Sequence, residues 1–278
     1  MSLLDRKRFG AVIRVFAKTP EQVARNVAQA TEAAHRMLGS TAGRNMVFRG
    51  KRLFSEVLIL VAADKNYPDH DCGLTAAALR KNFAGVSNVA VLEVRHGDLF
   101  CGVLNYGAAK LLRNRCDYMC VLSHGALSYL TEPTLVKVLE KFESGAKSVG
   151  VAFEDLAESV LEGRIANTFA FWDLEALGTV GLFDYSAAQV PLNDTSGRPA
   201  GGVEEIIPLL RLAEVFGTCI ATVVPDAAGA KWMIPDQSAD PEGYERHMKK
   251  MQSKLARQEA RAAADRKDLK ALKSALMR

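Results

Sequence analysis

Five apolar runs, each trailed by a helix-forming stretch, constrain this chain more than any other feature. They are AVIRVFA at 11–17, EVLILVAAD at 56–64, NVAVLEVR at 88–95, YMCVL at 118–122 and KSVGVAF at 147–153. None alternates apolar with polar residues, so each predicts a strand buried on both faces. The intervening segments carry helix signals. Thr19 and Pro20 open the first helix as N-cap and first helical residue, and Gly39 stops it. Thr131, Glu132 and Pro133 open another. Alternating strand and helix predicts an α/β fold, a mainly parallel sheet with helices on both sides. In such sheets ligands bind at the carboxyl ends of the strands. Those ends fall at 16–18, 63–66, 95–97 and 123–125.

The pattern changes after residue 155. NTFAFWDLEALGTVGLFD predicts a short strand and a helix. PLNDTSGRPAGG predicts a polar loop. EEIIPLLRLAEVFG predicts a helix that tolerates Pro208 only in its first turn, and TCIATVVP a last strand. From Tyr244 to Arg278 there is neither Gly nor Pro, and Met248, Leu255, Ala262, Leu269 and Leu276 recur every seventh residue. One long amphipathic helix is expected there, docked on its own body or on a partner subunit.

Of 278 residues, 36 are basic and 32 acidic. Eleven basic and four acidic residues lie in 244–278, so the body itself is slightly acidic. A basic nucleic-acid-binding body is thereby disfavoured, while the tail could meet an anionic membrane surface, RNA or a partner, including a second copy of the chain. The organisation expected is a domain over 1–243 and a basic helix over 244–278. No apolar stretch is long enough to span a bilayer. MSLLDRKRFG holds no secretory leader pattern, so the cytoplasm, with peripheral membrane contact through the tail, is the expected compartment. Five cysteines without a CxxC predict reduced thiols, with Cys116 and Cys120 in the core.

GxGxxG, GxxxxGK[ST], GxSxG and HExxH are all missing. The order of the remaining segments resembles glycosyltransferase family 2, of the GT-A fold, over roughly residues 9–226. VFAKTPEQVARNV resembles that family's opening strand, loop and helix. EVLILVAADKNYPD resembles its second strand, with Asp64 at the nucleotide-binding acidic position. NYGAAKLLRNRCDYMCVLSHGA resembles the helix with an early Asn and the strand that carries the metal-binding DxD. NTFAFWDLEALGTVGLFD resembles the acceptor-side segment ending in G-x-F-D. GGVEEIIPLLRLAEVFG resembles the helix that brings the catalytic acid, with Glu205 at that position and Arg211 and Gly217 in register.

The resemblance implies a GT-A-like, Rossmann-like sheet flanked by helices. It implies transfer of a sugar from a nucleotide-diphospho-sugar to an unidentified acceptor hydroxyl, with inversion. Glu205, or its neighbour Glu204, would be the general base, and the helical twist of about 100° per residue lets only one of them face the cleft. Asp64 would hold the base or ribose, and Arg95 the phosphates. Phe16, Lys18, Asn105, Ser123, His124 and Gly125 complete the expected donor site, with Trp232 available to stack on a sugar. Ser123-His124-Gly125 stands where the family has DxD, so the two carboxylates that would hold Mn or Mg are missing. Three readings follow: a cation held by His124 with Asp226 or His247; a diphosphate neutralised by Lys18, Lys65 or Arg95 without metal; or a non-catalytic GT-A-like binding module that assembles through its basic helix. A nucleotidyltransferase would carry a Gly-rich basic loop after the first strand, and FAKTPEQ is not one.

Overall fold

The computed structural model describes residues 7–15, 17, 20–39, 47–48, 51–62, 72–94, 100–152, 163–184, 203–226, 237–238 and 241–277. In chain order the elements are β1 (Phe9–Val15), α1 (Pro20–Leu38), β2 (Val47–Phe48), β3 (Lys51–Arg52), β4 (Phe54–Ala62), α2 (Cys72–Asn82), β5 (Val89–Val94), α3 (Phe100–Arg113) and β6 (Tyr118–Ser123). A 3-10 helix (His124–Tyr129) leads to α4 (Glu132–Glu143), β7 (Ser148–Val151), β8 (Phe169–Asp173), α5 (Leu174–Thr179), α6 (Ile206–Phe216), β9 (Ile220–Val223), α7 (Pro241–Ala264) and α8 (Lys270–Ser274).

Seven strands form one sheet in the order β5-β4-β1-β6-β8-β7-β9, and β2 pairs with β3 separately. β5, β4, β1 and β6 are mutually parallel, as are β7 and β9. β8 runs antiparallel to both β6 and β7. The sheet is therefore mainly parallel, as the unalternated apolar runs require, with one reversed strand where the sequence pattern changes. The chain winds from β1 outward through β4 to β5, then returns to place β6 on the other side of β1. The carboxyl ends of β1 and β6 thus meet at the point where strand order reverses, the usual ligand crevice of an open α/β sheet.

Alternation along β1 explains why both faces are apolar. Ala11, Ile13 and Val15 enter the layer covered by α1, α2 and α4. Val12 enters the opposite layer, shared with α3 and α6. Arg14, two residues on, has the parity of Val12 and faces that second layer. Thr131 caps α4 as predicted, its hydroxyl accepting from the Thr134 amide at 3.3 Å. The proposed cap Thr19 lies outside the described residues.

The C-terminal segment is not one helix. α7 ends at Ala264, Arg266 adopts φ 55°, and just ahead of the short α8 the Asp268 carboxylate accepts from the Lys270 amide at 2.9 Å. The break carries no Gly or Pro because a single left-handed Arg suffices, so periodicity alone could not mark it. Ala262, Leu272 and Ala275 are buried in the α3–α6 layer. The Cys219 and Ile220 amides both donate to Ala275 O, and the Met277 amide donates to Ile220 O, so the chain end covers the β9 edge. Among the described residues no helix is long and apolar enough to cross a membrane.

Close approach fixes one glycine. A Cβ on Gly150 in β7 would lie 2.2 Å from Ile165 Cγ2 and 2.4 Å from its Cβ. Gly150→Ala is expected to lower unfolding free energy by about 1–3 kcal/mol in urea titration. Gly178→Ala, at an exposed position of α5 with open space around it, should leave it unchanged or raise it by up to ~1 kcal/mol.

Candidate functional site

Arg14 is the penultimate residue of β1, paired in register with Leu60 on one side and Ser123 on the other. Its guanidinium lies 3.2 Å from Glu204 Oε1 and donates to Asn167 O at 3.0 Å. Both side chains of the ion pair are largely buried. Asn167 is fixed in turn, its Oδ1 accepting from Trp172 Nε1 at 3.0 Å. On the β6 side, His124 Nδ1 bonds the Arg14 carbonyl at 3.1 Å. A carbonyl only accepts, so Nδ1 carries the proton and the neutral ring keeps its lone pair on Nε2. Burial, and then the positive charges of Arg25 and Arg14, push the imidazole below its ordinary pKa despite that hydrogen bond. His124 is therefore neutral at pH 7. Gly125 follows in open space, with nothing near the position of a Cβ.

Glu204 and Glu205 sit in a turn just ahead of α6, and Glu205 is the residue before its first turn. Both are buried, Glu205 to 1%. They diverge to different partners. Glu204 reaches Arg14 in the sheet, while Glu205 Oε1 lies 3.1 Å from Lys254 Nζ on α7. Desolvation raises the Glu205 carboxyl above the ordinary carboxylate value, the Lys254 ammonium opposes this, and the Glu204 charge adds to it. Glu205 has helical dihedrals, and both carboxylates are interior but point to different elements, one to the sheet and one to α7.

A third carboxylate completes the cluster. Asp184 Oδ2 accepts from Arg211 Nη2 at 3.1 Å and lies 3.7 Å from Arg261 Nη2 of α7. The Cys101 thiol donates to the Asp184 carbonyl at 3.1 Å. Burial, with the charges of Glu204, Glu205 and Asp184, pushes that thiol far above its ordinary pKa, so it is a hydrogen-bond donor and not a nucleophile. Asn105 uses its amide on the backbone of Phe183, donating to O at 2.7 Å and accepting from N at 2.9 Å. It ties α3 to the GLFD ending.

Ser123, His124 and Glu204 thus come together around Arg14 at the strand-order reversal, while Glu205, next to Glu204 in the chain, turns to α7. Phe16, Lys18, Asp64 and Arg95 lie outside the described residues, as do Lys65, His70, His96 and Trp232. Asp226 is elsewhere: its amide donates to Thr134 Oγ1 and its exposed carboxylate lies 3.9 Å from Lys137, against α4 on the opposite layer. His247 lies within α7. Among the described residues no three His, Cys, Asp or Glu side chains form a metal-holding group. The buried carboxylates are instead each matched to a cation, which does not fit a divalent-ion site. Arg14, Lys254 and Arg261 escaped the sequence reading. Arg14 left one trace, a lone charge inside the apolar run AVIRVFA.

No known family matches the chain, and no curated protein matches its sequence significantly. In three dimensions it is similar to the mannosyltransferase PcManGT from Pyrobaculum calidifontis, solved in complex with GDP-Man and Mn2+. That likeness has TM-score 0.56 and 14% identity, over 97% of this chain and 68% of that one. GalNAc-T7, solved with UDP, GalNAc and Mn2+, matches with TM-score 0.43 and 10% identity, over 86% of this chain and 47% of its own. A cytidylyltransferase from Leptospira borgpetersenii matches with TM-score 0.41 and 10% identity, over 82% and 81%. The chain has a GT-A-like α/β fold, as the mannosyltransferase likeness shows.

The Arg14–Glu204 pair makes a direct prediction. Arg14→Met leaves a buried carboxylate without its cation and should cost about 3–5 kcal/mol in urea unfolding. Adding Glu204→Leu should restore most of that loss, because the pair then leaves together.

Proposed function

We propose that this chain is a glycosyltransferase of the GT-A type, akin to family 2, transferring a sugar from a nucleotide-diphospho-sugar to an acceptor hydroxyl with inversion. The observation that carries the proposal is a buried, cation-balanced pair of adjacent carboxylates in a GT-A-like fold, Glu204 held by Arg14 near the carboxyl end of β1 and Glu205 held by Lys254 of α7. The similar mannosyltransferase, solved with GDP-Man and Mn2+, supports the substrate class.

Glu205 is the general base. Burial raises its carboxyl above the ordinary carboxylate value, the direction that makes it the stronger base. The acceptor oxygen attacks the anomeric carbon, the bond from that carbon to the phosphate oxygen breaks, and Glu205 receives the hydroxyl proton. Glu204, locked to Arg14, shapes the turn that presents Glu205. His124 and Gly125 border the donor, with Nε2 of the neutral imidazole accepting from a sugar or ribose hydroxyl. Asp64 holds the nucleoside, and Phe16 and Ser123 complete the donor site, with Asn105 committed instead to the Phe183 backbone. The departing diphosphate is neutralised by side-chain cations, Lys18, Lys65 and Arg95 being the candidates, since Ser123-His124-Gly125 offers no carboxylate pair for a cation.

Calorimetric titration with UDP, GDP and their sugars, with and without Mn2+, tests this reading. Binding of at least one nucleotide sugar is expected, with little dependence on the metal. Glu205→Gln should cut turnover about 10²–10⁴-fold with unchanged donor affinity. Binding without turnover would favour the non-catalytic module, and no binding to any nucleotide sugar would end the proposal.

A further inference from the structure

We propose that the C-terminal helix α7 is part of the active site, with Lys254 and Arg261 as positioning residues for the carboxylates of Glu205 and Asp184. The inference rests on the glycosyltransferase reading with Glu205 as base, and adds to it a helix that the sequence presents as an appendage.

The geometry is specific. Lys254 and Arg261 are seven residues apart, two turns, so they share one face of α7 about 10 Å apart along its axis. Gln258, between them on that face, is buried to 3%, and the side chains of Lys254 and Arg261 are 18% and 8% exposed. Two long cations are therefore held inward, where isolated charges are strongly disfavoured. Each faces a buried or half-buried carboxylate, Glu205 Oε1 at 3.1 Å and Asp184 Oδ2 at 3.7 Å. Asp184 closes the GLFD segment and Glu205 opens α6. One rigid helix thus pins both sides of the site at once. Arg261 is itself oriented by Asp265 one turn on, at 2.7 Å.

The charge balance around Glu205 makes Lys254 decisive. The charged and titratable groups that act on it are Glu204 in the same turn, itself held by Arg14 of β1, Lys254 from α7, and the un-ionised Cys101 thiol from α3. Of these only Lys254 favours the ionised carboxylate directly. Removing it leaves desolvation and the Glu204 charge, which favour the protonated acid, opposed only by a backbone hydrogen bond at Glu205, and a protonated Glu205 cannot accept the hydroxyl proton.

The test uses the full chain with Lys254→Met, Lys254→Gln and Lys254→Arg, and Lys249→Ala as an exposed-lysine control. Difference infrared titration, assigned with Glu205→Gln, reads the carboxyl directly. Loss of the charge in Met or Gln should raise the Glu205 midpoint by about one pH unit or more, and Arg should restore it. Under the base reading, the acidic limb of kcat moves up with it while KM is unchanged. A folded Met or Gln variant with the wild-type midpoint overturns the proposal. Should neither fold, an unfolded Lys254→Arg as well would assign Lys254 to packing and overturn it, whereas a folded Arg variant with the wild-type midpoint upholds the need for charge. If the wild type turns over no nucleotide sugar, the functional reading fails, but the infrared midpoint still decides the role of Lys254.

Discussion

A guanidinium inside a buried strand organises this molecule. Arg14 lies in β1, two residues beyond Val12 and on the same, largely apolar face, between Leu60 and Ser123 in register. An unpaired charge there is not sustainable, so the surroundings are built to receive it: Glu204 from the turn before α6, and the Asn167 carbonyl held by Trp172. Its own carbonyl takes the His124 ring. The residue that most needs neutralising sits at the reversal of strand order, and neutralising it brings β1, β6, the 163–168 segment and α6 to one point.

The same logic runs outward. Glu204 and Glu205 cannot share one cation, since they diverge from a turn, and Glu205 is served from α7. Asp184 is served by α6 and α7 together. Three carboxylates and four cations therefore form a relay from the sheet tip to the C-terminal helix. Buried ion pairs of this kind contribute little net stability against an apolar core of equal volume, yet removing one partner is strongly destabilising. They are better understood as a device that fixes where charge sits.

Much of this fold was legible in the residues. The unalternated runs that became β1, β4, β6 and β7 announced a doubly covered sheet, whereas the run of β5 forms an edge strand that is only partly buried, and Thr131 and Gly39 marked helix ends. The reversed direction of β8 was not legible, because NTFAFWD reads as a strand in either sense and only its pairing with β6 and β7 sets the direction. The stop at Arg266 was hidden for the reason that any L-residue can take a single left-handed turn when neighbouring contacts hold it. At the site, Glu204, Glu205, Ser123 and His124 were legible through their order along the chain. Their cations were not: Lys254 and Arg261 look like the solvated face of a basic helix until α7 is laid on α6. The heptad is likewise only partly a packing seam, for Ala262 is buried while Met248 is exposed.

The account turns on one spatial claim, that a nucleoside diphosphate seats over the carboxyl ends of β1 and β6 with Glu205 facing the sugar. A crystal structure of the protein with a bound nucleotide sugar measures it most directly. The account predicts the diphosphate beside His124 and Gly125, with a Glu205 carboxylate oxygen on the side of the anomeric carbon opposite the leaving phosphate and Lys254 still paired to it. A nucleotide bound away from the β1–β6 reversal, or a Glu205 carboxylate still buried and turned from the sugar, would contradict it.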